Sequence, residues 1–155
     1  MTDKILREQL VALLRGGEAH SPVIEVIRGF PCLLAGSHVG NIPHTPWRLL
    51  EHMRIAQWDI LEFSRNPDHV SPDFPDGYWP TKESPPNENS WDESVSAFCS
   101  DLEAMQQLVT DPDSNLFTPI PHGSGQTLLR EAMLVADHNS YHLGQLVAIR
   151  RGLEE

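Results

Sequence analysis

Wherever the alternation of apolar and polar positions is clear, its period is helical. Leu6, Leu10 and Leu13 form a first stripe, which Gly16-Gly17 should end. From Ser21 to Pro43 the pattern is broken by Gly29, Pro31, Gly36 and Gly40, leaving room for one short helix over Ser21–Arg28. Thr45-Pro46 reads as an N-cap followed by proline at the first helical position, and predicts a helix reaching Arg65, where Asn66-Pro67 stops it. Ser90 and Glu93 have the S-x-x-E spacing of a capping box. Trp91, Val95, Phe98, Leu102, Met105 and Val109 then continue as a seam of steps of three and four, closed by Asp111-Pro112. A last helix is predicted from about Gln126 to Arg151, with Gly152 as its stop. Only the short Leu116–Ile120 stretch has strand character, and no internal repeat or low-complexity tract is present. These elements predict a single all-α domain over residues 1–155, a four-helix bundle with one long connection between its second and third helices.

That connection, Asn66 to Asn89, carries six prolines and the aromatics Phe74, Tyr78 and Trp79. Irregular segments of such length inside a compact domain are commonly lids, crossovers or disordered stretches, and the aromatics argue against full disorder. Fully extended at about 3.3 Å per residue, the segment outreaches a bundle helix of about 30 Å, so it can cross from one end of the bundle to the other. Tyr78 and Trp79 are expected to anchor it, with Trp79 at a pocket edge; the alternative is that both cap the core away from any site.

Composition narrows the function. The 155 residues carry 11 basic and 22 acidic side chains, a formal net charge of −11. Nucleic acid or an anionic membrane would meet repulsion, and the densest basic spot is only Arg150-Arg151, so neither is an expected partner. No apolar run approaches the roughly 20 residues that span a bilayer. Met1-Thr2-Asp3-Lys4 leads into an amphipathic segment rather than the apolar centre of a signal peptide. Cys32 and Cys99 are too few and too far apart for a disulfide framework or a CxxC motif. A cytoplasmic setting is expected.

Eight histidines are many for this length. His138 and His142 lie four apart in the last helix, on one face, where two imidazoles can converge on an ion. They share a stripe with Leu128, Val135 and Ile149, while His52 shares one with Leu49, Ile55 and Phe63, so all three rings are expected to face the bundle interior. Depth along the two helices agrees within about 3–9 Å if they run antiparallel. Three imidazoles suit zinc, nickel or another borderline divalent ion and leave a coordination position open. Equally, spacing alone allows three core histidines satisfied by hydrogen bonds. His20, His38, His44, His69 and His122 fall in connections and read as surface residues, His44 being the one placed to approach the site. Asp59 and Glu131 follow or precede the site histidines by seven residues on the same faces. They read as charges that reach solvent or pair with arginine, with orientation of the histidines as the alternative.

Other chemistries fit less well. Gly123-Ser124-Gly125 is too short for a phosphate loop, no Gly-x-Ser-x-Gly elbow occurs, and Asn139 after His138 excludes HExxH. Trp47, Trp58 and Trp91 read as core.

Two blocks, Trp47-Arg48-Leu49-Leu50-Glu51-His52 and Asp137-His138-Asn139-Ser140-Tyr141-His142-Leu143-Gly144-Gln145, resemble the three-histidine site of the DinB superfamily. The second block, a histidine pair followed closely by Gly-Gln, is the more specific, and the order of elements extends the resemblance over nearly the whole chain. The resemblance implies an up-down-down-up four-helix bundle, a homodimer, and a divalent metal on His52, His138 and His142. Relatives in that superfamily include transferases using low-molecular-weight thiols such as bacillithiol or mycothiol, so a metal-dependent thiol transferase acting on a small molecule is expected. Neither Cys32 nor Cys99 lies on a site stripe, so the thiol would come from outside. The alternatives are a metal-dependent hydrolase, or a non-catalytic metal-binding stress or interaction protein in which His44 or Glu51 closes the coordination shell.

Overall fold

A computed structural model describes residues 2–154. Among them are five α-helices: α1 (Thr2–Arg15), α2 (Val23–Arg28), α3 (Pro46–Arg65), α4 (Ser90–Thr110) and α5 (Leu128–Glu154). No strand is formed among the described residues. The Leu116–Ile120 stretch contributes one isolated bridge, Pro119 to Thr127. No helix among the described residues is long and apolar enough to cross a membrane.

Local sequence sets most of the boundaries. The α1 helix ends where Gly16 and Gly17 take φ of 65° and 94°, a region L side chains avoid. Thr45 caps α3 as expected, its hydroxyl accepting from the Arg48 N–H at 3.3 Å, with Pro46 in the first turn. The α3 helix stops at Arg65 as expected. Three expectations need correction. Leu14, at 2% exposure, replaces Leu13, at 52%, on the buried stripe of α1. The capping box does not form: Asn89 precedes the first turn of α4 without a side-chain cap, and the Ser90 hydroxyl instead accepts from the Asn87 N–H. Gly152 lies inside α5 rather than beyond it. A Cβ there would stand 2.6 Å from Cγ1 of Val39, so glycine serves close approach of the loop to the helix.

The α3 helix packs against both α4 and α5, and α1 packs against the same two helices. The core between them includes Leu10, Leu14, Leu49, Met53, Leu61, Phe98, Leu102, Met105, Val135, Leu146 and Ile149. Every residue of the predicted α4 seam is buried. Trp58 is the exception among the expected core tryptophans, 37% exposed with its ring against the His69 edge. Paired side chains show how the helices register. Glu51 meets Ser94 and Gln57 meets Phe98, so numbering rises together on α3 and α4. His52 meets His138 and Phe63 meets His122, so numbering falls on the C-terminal segment as it rises on α3. At the far end, Arg7 of α1 donates to the carbonyl of Val109 in the last turn of α4 and to those of Asp111 and Ser114 beyond it.

One polar tie crosses this apolar interior next to the histidines. Gln57, 1% exposed, donates from Nε2 to the Phe98 carbonyl at 2.8 Å, and its Oε1 accepts from Asn139 Nδ2 at 2.9 Å. It joins α3, α4 and α5 at the level of the site, and buried polar groups are costly when a partner is removed. Gln57→Leu is therefore expected to destabilise the fold by about 1–3 kcal/mol, because the Asn139 amide loses its acceptor. Urea unfolding checks this, and Gln57→Leu/Asn139→Leu should recover part of the loss. Equal destabilisation by the single and double variants would contradict the tie.

Candidate metal centre

The three histidines come from the two facing helices α3 and α5, and one nitrogen from each lies within 4.8 Å of the other two. His138 Nε2 stands 3.0 Å from His52 Nε2. The rings meet edge to face, with centroids 4.6–4.8 Å apart across the three pairs. His142 is buried, whereas His52 and His138 are half-buried.

The proton of two rings is committed away from the cluster. His52 Nδ1 lies 2.9 Å from the Tyr78 carbonyl, which can only accept, so Nδ1 carries the proton and Nε2 presents a lone pair to its neighbours. His142 Nδ1 lies 2.7 Å from Gln145 Oε1 and donates to it, which leaves its Nε2 bare in the same way. His138 Nδ1 is buried without a partner. Converging imidazole lone pairs fit a divalent cation: two nitrogens bound at about 2.0–2.1 Å in a tetrahedral shell stand about 3.3 Å apart.

Electrostatics keep the rings in the ligating form. Burial pushes His52 down to about 4, against the opposing hydrogen bond that its ring donates to the Tyr78 carbonyl, and a proton on His142 or His44 would add unfavourable like charge. Burial also pushes His138 down to about 3, reinforced by His142 and His52. His142 is lowered by burial as well. All three are therefore neutral near pH 7.

The long connection forms one wall of the site. The Trp79 ring lies flat on His52, with centroids 3.8 Å apart and planes 2° apart. His44 stacks on Trp79 at 4.2 Å, and the Arg48 guanidinium carbon sits 5.6 Å from the Trp79 ring centre. Trp79 thus borders the histidines, as the sequence suggested, and does not cap a remote part of the core. Tyr78 anchors the segment through its hydroxyl, which donates to Asp59 Oδ2 at 2.6 Å. Further along, the Thr45 hydroxyl donates to the Glu83 carbonyl at 2.6 Å and Arg48 donates to the Glu83 carboxylate at 2.9 Å.

The remaining candidates sort clearly. His44 approaches the site as expected but belongs to the stack rather than the cluster. Glu51 turns toward α4, held by Arg54 at 2.8 and 2.9 Å and by the Ser94 hydroxyl at 2.6 Å. Cys32 is exposed, and Cys99 is half-buried near Arg28. His69 does not behave as a surface residue: its side chain is 6% exposed and its Nε2 lies 2.7 Å from Asp59 Oδ1. Asp59 is buried between His69 and Tyr78 instead of reaching solvent or an arginine, whereas Glu131 does pair with Arg130, at 2.6 Å. Sequence reading missed the contacts that orient the histidines. Gln145 stands at i+3 from His142, a neighbouring position on a helix, and could have been found. The Tyr78 carbonyl, a backbone atom of an irregular segment, leaves no such signal.

No family model, curated protein or solved structure matches the chain.

The lowered histidines make stability depend on pH in the metal-free protein. Their folded values lie below the unfolded value of about 6.5, so the unfolded chain binds more protons and stability falls as pH drops from 6.5 toward 4. We expect a lower Tm at pH 5 than at pH 7.5, and a smaller decrease in His138→Phe. An unchanged pH dependence in that variant would contradict the buried neutral state of His138.

Proposed function

We propose that the chain is a divalent-metal protein of DinB-like type, an up-down-down-up four-helix bundle whose His52, His138 and His142 bind zinc or nickel. The convergence of three neutral imidazoles within 4.8 Å carries this reading. The helix arrangement is supported by the rising register of α3 with α4 and by the falling register of the C-terminal segment against α3. Gln145, from the Gly-Gln block on which the resemblance rests, holds His142 by its outer nitrogen, which is how metal-ligating histidines are commonly oriented.

The chemistry follows from the number of donors. Glu51 is committed to Arg54 and Ser94, and no nitrogen of His44 joins the 4.8 Å group, so the protein offers three ligands rather than the four usual in structural zinc sites. This favours a reactive centre over a structural brace. An ion held there would supply Lewis-acid stabilisation of an external low-molecular-weight thiolate, the nucleophile of a transferase reaction. His52, His138 and His142 hold that ion, the Tyr78 carbonyl and Gln145 fix the rings that face it, and Trp79 shields the face of His52 from water. Activation of water for hydrolysis is the variant chemistry of the same open position. The homodimer belongs to this proposal through the family resemblance, and the cytoplasmic setting, with its reduced thiols, through the cysteine usage.

Metal analysis of purified protein, followed by a panel of small thiols with electrophiles, tests the reading. Stoichiometric zinc or nickel and thiol-dependent turnover are expected; metal-loaded protein inert across the panel would overturn the transferase assignment. His138→Ala and His142→Ala should each lower bound metal sharply while far-UV helicity is retained, because the apolar seam from Trp91 to Val109 packs independently of the ion. Metal content like that of the unsubstituted protein in either variant would remove that histidine from the site.

A further inference from the structure

We propose that Asp59 is a positioning residue for His52, acting through Tyr78. The Asp59 carboxylate lies one heptad beyond His52 on α3 and has no contact with the ring itself. Its two oxygens are divided between two groups of the long connection. Oδ1 takes His69 Nε2 at 2.7 Å, and Oδ2 accepts the Tyr78 hydroxyl at 2.6 Å. The same Tyr78 returns its backbone carbonyl to His52 Nδ1 at 2.9 Å, and the next residue, Trp79, lies flat on the His52 ring. A single buried carboxylate therefore fixes a tyrosine whose other end sets both the tautomer and the plane of a site histidine.

The irregular segment has few other means of holding this position. It forms one 3-10 turn, Asp76–Tyr78, and Phe74 beside it is 88% exposed. Between that turn and the strap at Glu83, the contacts of Tyr78 and Trp79 place the chain over the site. Without the Asp59 anchor the carbonyl is free to leave Nδ1, and a neutral imidazole then carries its proton on either nitrogen. A proton on Nε2 blocks the lone pair that the cluster needs. On the opposite helix Glu131 precedes His138 by the same seven residues, yet it binds Arg130 and has no hydrogen bond to the connection. It supplies the internal control.

The binding readout rests on the metal reading above, so the experiment includes one that does not. In metal-free protein at pH 8, nitrogen NMR of the imidazoles should show His52 mainly as the Nδ1–H tautomer. Asp59→Ala and Tyr78→Phe should each give a mixture of tautomers, and Glu131→Gln should leave His52 unchanged. Tyr78→Phe keeps the ring and the backbone carbonyl, so it decides the matter if Asp59→Ala folds poorly. With cobalt(II) as the probe, both variants should bind about tenfold more weakly, the usual scale for loss of a ligand-orienting partner, and their effects should not add in the double variant. An unchanged His52 tautomer together with unchanged cobalt affinity in Tyr78→Phe would overturn the role of Asp59. Failure of the unsubstituted protein to bind any divalent ion would overturn the metal reading instead, and the tautomer comparison would still decide the positioning role.

Discussion

The hydrogen bond from His52 Nδ1 to the Tyr78 carbonyl joins the regular part of this molecule to its irregular part. On one side stands a helix whose register is set by a capped start at Thr45 and a buried apolar face. On the other runs a 24-residue connection from Asn66 to Asn89 with no helix of its own beyond a 3-10 turn. The bond decides which nitrogen of His52 faces its partners, and it keeps Trp79 in place over the ring. A site built only from α3 and α5 would have the right residues at the right depth, but His52 would choose its own tautomer.

Around this bond the structure solves a solvation problem. His142 and the Gln57–Asn139 pair are buried, and His52 and His138 are half-buried beside them. Burial drives the histidines to the neutral form, and hydrogen bonds on the outer nitrogens of His52 and His142 turn their lone pairs inward. With His52 Nε2 bare, a proton on His138 Nε2 satisfies the 3.0 Å contact between them, and a divalent cation would take that proton's place. This gives the cluster its chemical meaning, independent of resemblance to any family.

Much of this was legible in the sequence, and the limits have physical causes. Helix α3 was readable to the residue because Thr45-Pro46 and Asn66-Pro67 are strong local signals. The facing of His52, His138 and His142 followed from helical period and from depths that agree within about 3–9 Å, since helices transmit sequence spacing into space almost without distortion. The Ser90–Glu93 box failed because the Ser90 hydroxyl found a partner in the preceding loop. Gly152 failed as a stop because the contact that selects glycine there, with Val39, is distant in sequence. His69 was misread for a related reason: its partner Asp59 lies on a helix, and nothing in an irregular segment announces where it folds back. The aromatics of that segment did announce an anchor, but not the backbone carbonyl that matters most.

Anomalous diffraction from crystals of the protein loaded with zinc or nickel, measured at the absorption edge of the ion, would locate the metal among the three histidines. One strong peak is expected, bounded by His52, His138 and His142 and about 2.0–2.2 Å from one nitrogen of each, with the Tyr78 carbonyl still on the outer nitrogen of His52. A fully loaded crystal with its peak elsewhere, or no peak among these three rings, would contradict the three-histidine site.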